Sequence, residues 1–186
     1  YKIILDNYTA ERVHMSPTLS METIQLFLDL DGVLVDFDAG VQKATGHLPG
    51  DLTLRKMWSS LARSNQFFAH LSWTHDGYNL WQATQVFNPI ILTGLPHGSW
   101  ADPQKRAWCA RELGEDIPVI TCMSRDKAKE ASLAITKGAT PILIDDRPHY
   151  KDLWCDMGGI FITHTSTKES LEHLRALNIR GYVYSE

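Results

Sequence analysis

The chain has 186 residues, 44% of them hydrophobic, and a formal net charge of −4, enough for one domain with a modest insertion and its own core. This balance excludes the broad positive surface of a protein that grips many nucleic-acid phosphates, and no apolar run approaches the roughly 20 residues of a membrane span. Three scattered cysteines, Cys109, Cys122 and Cys155, have no CxxC pairing, so neither a disulfide framework nor structural zinc is expected, and the thiols read as reduced.

Residues 1–22 hold a strand-like fragment at 3–5 and then a polar, proline-containing stretch, and read as an N-terminal appendage. An acidic residue close behind that short apolar start argues against a secretory leader. The expected location is cytoplasmic. Residues 24–30, rich in leucine and isoleucine, run into an acidic glycine turn, as a buried parallel strand does. Comparable runs at 89–92, 117–121, 141–144 and 159–162 each end in polar residues or glycine. Helices are expected between them at 102–113, 126–137, 147–156 and 167–177, the first opened by Asp102 as N-cap and Pro103 as N1.

About 60 residues separate the first strand from the second. They carry helical patterns at 38–45, 53–62 and 76–86 and many aromatic residues. The expected architecture is therefore α/β: a Rossmann-like, doubly wound, mostly parallel sheet (23–46 and 88–186) with a small helical cap (47–87) inserted after the first core strand. Ligands of such sheets bind at the carboxyl ends of the strands.

Four short signals fall at those ends. Asp29-Leu30-Asp31-Gly32 sets two carboxylates one residue apart, suited to a nucleophile beside a proton shuttle, although an acidic turn is often merely solvated. Thr93-Gly94 offers a hydroxyl and approachable backbone N–H groups for phosphoryl oxygens, or is an ordinary turn. Ser124-Arg125-Asp126-Lys127 brings an ammonium that could offset charge. Asp145-Asp146 is a carboxylate pair suited to a hard cation, or to a helix start before Pro148.

In this order and setting, the four resemble the motifs of the haloacid dehalogenase superfamily over about residues 24–165. The strings DLDGVLVDFDAG, SRDKA and ILIDDR are most similar to its 5′(3′)-deoxyribonucleotidase branch. The resemblance implies a magnesium-dependent phosphomonoester hydrolase working through an aspartyl-phosphate. In it Asp29 is nucleophile and metal ligand, and Asp31 is acid/base and binds Mg2+ through its backbone carbonyl. Thr93 and the Gly94 N–H hold the phosphoryl group, Lys127 neutralises charge, and Asp146 completes the metal site with Asp145 behind it. That branch carries Thr-Ser where this chain has Thr93-Gly94, so one phosphate-binding hydroxyl is missing.

Phe37, eight residues past Asp29, matches a base-stacking phenylalanine of that branch, with packing under the cap as the competing role. The expected substrate is a small phosphorylated molecule, with nucleoside monophosphates first among them. Trp73, Tyr78 and Trp81 read more readily as core of the cap than as pocket lining. Lys105, Arg106 and Arg111 read as the solvated face of a helix that could also flank a nucleic-acid end. That leaves a phosphatase of 3′ or 5′ nucleic-acid ends as one alternative and a non-catalytic binding domain of the same fold as another. His47, His70, His75, His97, His149, His164 and His173 show no metal-ligand spacing.

Overall fold

The computed structural model describes residues 19–182. The strand-like fragment at 3–5 and most of the expected appendage lie outside them. Residues just before the first strand are part of the packed body: the Met21 N–H donates to the Arg180 carbonyl (3.0 Å), the Arg180 N–H donates to the Leu19 carbonyl (2.9 Å), and both Leu19 and Met21 pack on the core.

The fold is α/β, with a five-stranded, all-parallel sheet: β1 (Ile24–Leu28), β2 (Ile90–Gly94), β3 (Val119–Cys122), β4 (Thr140–Asp145) and β5 (Ile160–Thr163), in the order β3-β2-β1-β4-β5. Side chains alternate across a strand, so a sheet covered on both faces must be apolar at successive positions. Leu26 and Leu28 of β1, Ile91 of β2, and Ile142 and Ile144 of β4 join one buried cluster. Phe27, Ile90, Leu92 and Leu143 join a second cluster on the other face. This is why the strands read in sequence as unbroken apolar runs.

Helices α1 (Phe37–Thr45), α2 (Leu54–Arg63) and α3 (Gly77–Thr84) lie between β1 and β2; α4 (Ala101–Glu112) follows β2, α5 (Lys127–Ala134) β3, α6 (Lys151–Asp156) β4 and α7 (Thr167–Ala176) β5. Trp108 of α4, Leu80 and Trp81 of α3 and Leu174 of α7 belong to the first cluster, and Ala131 of α5 and Trp154 of α6 to the second. The helices thus cover opposite faces, as a doubly wound sheet requires. No described helix is long and apolar enough to cross a membrane.

The insertion divides by its packing. α1 lies against α2, whereas α3 lies against α7, so α3 behaves as the crossover helix of the core. The return segment between α2 and α3 is fastened to α4 by four hydrogen bonds, one of them from Trp73 Nε1 to Glu112 Oε2 (2.9 Å). The Phe68 N–H donates to Gln104 Oε1 (2.9 Å), Trp108 Nε1 to the Leu71 carbonyl (2.9 Å), and Arg111 Nη1 to the Ala69 carbonyl (2.7 Å). Trp81 is buried in the core and half-buried Trp73 packs on Trp108, as expected of core residues, but Tyr78, against Trp73, is 51% exposed and is not part of the core.

Asp102 does not cap α4. The helix begins at Ala101, and the Asp102 carboxylate instead accepts from Arg106 Nε (2.9 Å) and the Thr121 hydroxyl (2.6 Å), a tie from α4 to β3 that outweighs local capping. Trp108 joins core, cap and α4 at only 1% exposure. Trp108→Ala is expected to cost about 3–5 kcal/mol, read as a lower denaturant midpoint, because it opens a large cavity and orphans the Leu71 carbonyl.

Candidate active site

Strands β2 and β4 flank β1, and the chain reverses its direction of winding between β1 and β4. The carboxyl ends of adjacent strands diverge there and leave a crevice. Asp29 follows β1 at its rim, Asp145 ends β4, Thr93 and Gly94 end β2, and Lys127 opens α5 just beyond β3. Asp29, Asp31, Thr93, Gly94, Lys127, Asp145 and Asp146 therefore meet in one place, because each lies at the same end of a strand.

The geometry there is specific. Lys127 Nζ lies 2.8 Å from Asp29 Oδ2 and 2.6 Å from Asp145 Oδ2, and Asp29 Oδ1 accepts from the Leu30 N–H at 2.8 Å. The Asp29 carboxylate is thus held at both oxygens. Burial works against the Lys127 ammonium, but Asp29 and Asp145 outweigh it and push its pKa up. Asp145 is raised, first by burial and then by Asp29, with Lys127 opposing.

Asp31 is paired with Lys105, a residue that the sequence reading placed on a solvated helix face. The correction is large: Lys105 is 1% exposed, and its Nζ donates to Asp31 Oδ2 (2.7 Å) and Thr93 Oγ1 (2.9 Å) and lies 4.4 Å from the Phe68 ring centroid. Its neighbour Arg106 is spent on Asp102, Thr121 and the Val119 carbonyl, and Arg111 on the return segment. Helical position alone gives no sign that α4 turns one lysine inward; the signal was Lys105 lying three positions before the apolar Trp108, on the same helical face. Burial raises the Asp31 pKa, Lys105 opposes it, and Asp29 adds to it.

Thr93 is fully buried, and Lys105 engages its hydroxyl, so the atoms that β2 exposes to the crevice are those of Gly94. A Cβ on Gly94 would lie 2.4 Å from Ser124 Oγ. The Ser124 hydroxyl thus occupies the space a side chain at position 94 would need and lies on the same wall of the crevice.

A cavity of about 940 Å³ opens over Asp29, Asp31 and Lys127. Phe37 borders it but is only 4% exposed, packed between Trp58, Phe67 and Phe68. Packing therefore takes most of this ring, and the aromatic surface open to the cavity comes from Trp58, Trp100, Tyr150 and Phe161.

Comparison with known protein families and with curated proteins gives no match.

The acidic residues fit a hard cation. Asp29, Asp145 and Asp146 can each offer a carboxylate oxygen, all within 4.8 Å of one another. Asp145 is committed, since Lys127 holds Oδ2 and the Arg147 N–H donates to Oδ1 at 2.8 Å. Asp146 Oδ1 is buried with no hydrogen-bond partner among the described residues. Gly32 makes room for it: a Cβ there would come within 2.3 Å of Asp146 Oδ2. A buried, unpaired oxygen of Asp146 beside the carboxylates of Asp29 and Asp145 gives an all-oxygen donor set of the kind that suits magnesium.

Burial, then Asp29 and Asp145, raises the Asp146 pKa to about 7. A carboxyl held above the ordinary carboxylate range favours the metal-free fold at low pH, and that contribution is lost as pH rises through about 7. A cation must displace this proton, so the rise in Tm on adding Mg2+ should be small near pH 5.5 and grow by pH 8. In Asp146→Asn the Mg2+ shift should vanish at every pH, as read by thermal melts.

Proposed function

We propose that this chain is a phosphomonoester hydrolase of the haloacid dehalogenase type, with Asp29 as the nucleophile. The observation that carries the reading is the pairing of two carboxylates, two residues apart, with two different buried lysines: Asp29 with Lys127 and Asp31 with Lys105. Two acids in one loop are thereby given separate environments, Asp29 accepting from a backbone N–H and lying against one ammonium, and Asp31 paired with another and biased by burial towards its protonated form. Divergent environments for neighbouring titratable groups support separate roles in catalysis.

Magnesium held by Asp29, Asp146 and the Asp31 carbonyl would neutralise charge between the nucleophile and an anionic phosphoryl group. The chain's own groups do the rest. A carboxylate oxygen of Asp29 attacks phosphorus, the bond from phosphorus to the leaving oxygen breaks, and the Asp31 carboxyl gives its proton to that oxygen. Water then attacks the phosphorus of the aspartyl-phosphate, Asp31 takes the proton back, and Asp29 leaves as carboxylate. Lys127 offsets charge on Asp29 and the phosphoryl oxygens, and the Gly94 N–H with the Ser124 hydroxyl offers donors on the facing wall. The cap, fastened through Gln104, Trp108 and Arg111, limits the entry of bulk water.

The test is hydrolysis of nitrophenyl phosphate by the full chain with Mg2+, with EDTA, and with EDTA followed by excess Mg2+ or Ca2+. Turnover should be lost with EDTA, return with Mg2+, and stay low with Ca2+, which prefers more ligands and looser geometry. Full activity in the presence of the chelator would refute the metal role of Asp146.

A further inference from the structure

We propose that the mouth of the cavity receives a short single strand of nucleic acid, whose terminal phosphomonoester lies at Asp29; this inference rests on the phosphohydrolase reading and names its substrate class.

The floor of the cavity is acidic, but its wall and rim are not. Beyond Asp29, Asp31 and Asp145, the charged residues and histidines that border it are Arg55, His97, Arg125, Lys127, Arg147 and His149, with no further carboxylate. In a chain of net charge −4 this is a local reversal of sign. The three arginines are solvent-exposed and poorly committed. Arg55, on cap helix α2, has no ion pair or hydrogen bond among the described residues, while Arg125 Nε is 3.9 Å from Asp126 and Arg147 Nε is 4.0 Å from Asp146. Those separations exceed hydrogen-bonding range, which leaves three planar guanidinium groups to meet phosphate.

Among these cations lie exposed or half-exposed apolar groups: Trp58 and Leu54 from the cap, Trp100 before α4, and Tyr150 and Leu153 beyond β4. Aromatic faces interleaved with arginines form the surface that stacks unpaired bases and tracks a backbone. At about 940 Å³ the cavity is at the large end of ligand sites, which span roughly 300–1,000 Å³. A lone sugar phosphate would leave the arginines and most of the apolar wall without a partner. A duplex would need far more positive surface than this chain carries, whereas a strand end needs only a few phosphate contacts.

The experiment compares kcat/KM for the full chain with Mg2+ on tetrathymidylate phosphorylated at the 5′ or 3′ end, thymidine monophosphate, thymidine 3′,5′-bisphosphate and a phosphoserine peptide. At least one phosphorylated tetranucleotide should exceed the monophosphate by at least about tenfold at low salt. Arg55→Gln should cut that advantage at least about threefold and flatten the salt dependence by about 0.7 in log–log slope, one phosphate contact of a single strand. A monophosphate, bisphosphate or peptide that matches the tetranucleotides overturns the proposal, as does an advantage untouched by Arg55→Gln. If no phosphomonoester is hydrolysed, the phosphohydrolase reading itself fails. Fluorescence anisotropy with the labelled tetranucleotides then decides the rim, where binding at least about tenfold tighter than that of the monophosphate upholds it and equal binding overturns it.

Discussion

Asp29→Asn is expected to lower turnover by at least about a thousandfold while the protein folds and still binds phosphomonoesters, because the change removes the nucleophile's charge but keeps its shape. The folded state should tolerate it. Lys127 keeps Asp145 as a partner at 2.6 Å, and the side-chain oxygen of Asn can still accept from the Leu30 N–H. The check is steady-state kinetics beside a thermal melt and a binding titration on the same preparation. Activity within tenfold of wild type would remove Asp29 from its role.

Lys105→Met should produce a different signature. It deletes the donor to Asp31 Oδ2 and to the Thr93 hydroxyl, and strands the Asp31 carboxylate in a partly buried site. We expect a loss of about 3 kcal/mol of stability, the lower end for a broken buried pair, since Asp31 can take up a proton. If Lys105 orients Asp31 for proton transfer, kcat on alkyl phosphomonoesters falls by about a hundredfold, and on nitrophenyl phosphate, whose leaving group needs no proton, by less than about tenfold. Equal losses on both substrates would leave Lys105 a structural residue alone. Asp31→Asn should share this dependence on leaving group.

The sheet was legible in sequence because the three central strands are buried on both faces, the two edge strands are still largely apolar, and the strands end abruptly in polar residues or glycine. Asp29, Asp31, Gly94, Lys127 and the Asp145–Asp146 pair could be named for the same reason: a strand end is visible in one dimension. The pairing of Asp31 with Lys105 was not, because it joins residues 74 apart and depends on which way α4 is rotated over the sheet. The helical insertion was also visible, but not its division, since α3 lies against α7 and only the three-dimensional contact reveals it. Phe37 shows a third limit: its place after the acidic loop suggested a base platform, but Trp58, Phe67 and Phe68 close around it. Ser124 was masked in the same way, since its approach to Gly94 joins loops after β2 and β3 that are distant in the chain.

The central claim is that phosphate passes through a covalent bond to Asp29. The direct measurement is acid quenching of the full chain during turnover with Mg2+ and a phosphomonoester, followed by peptide mass spectrometry. The account predicts one phosphoryl group on the peptide containing Asp29, released by hydroxylamine as an acyl phosphate must be, and absent from Asp29→Asn. A phosphoryl group on any other residue, or hydrolysis that proceeds at full rate with none trapped on Asp29, would contradict it.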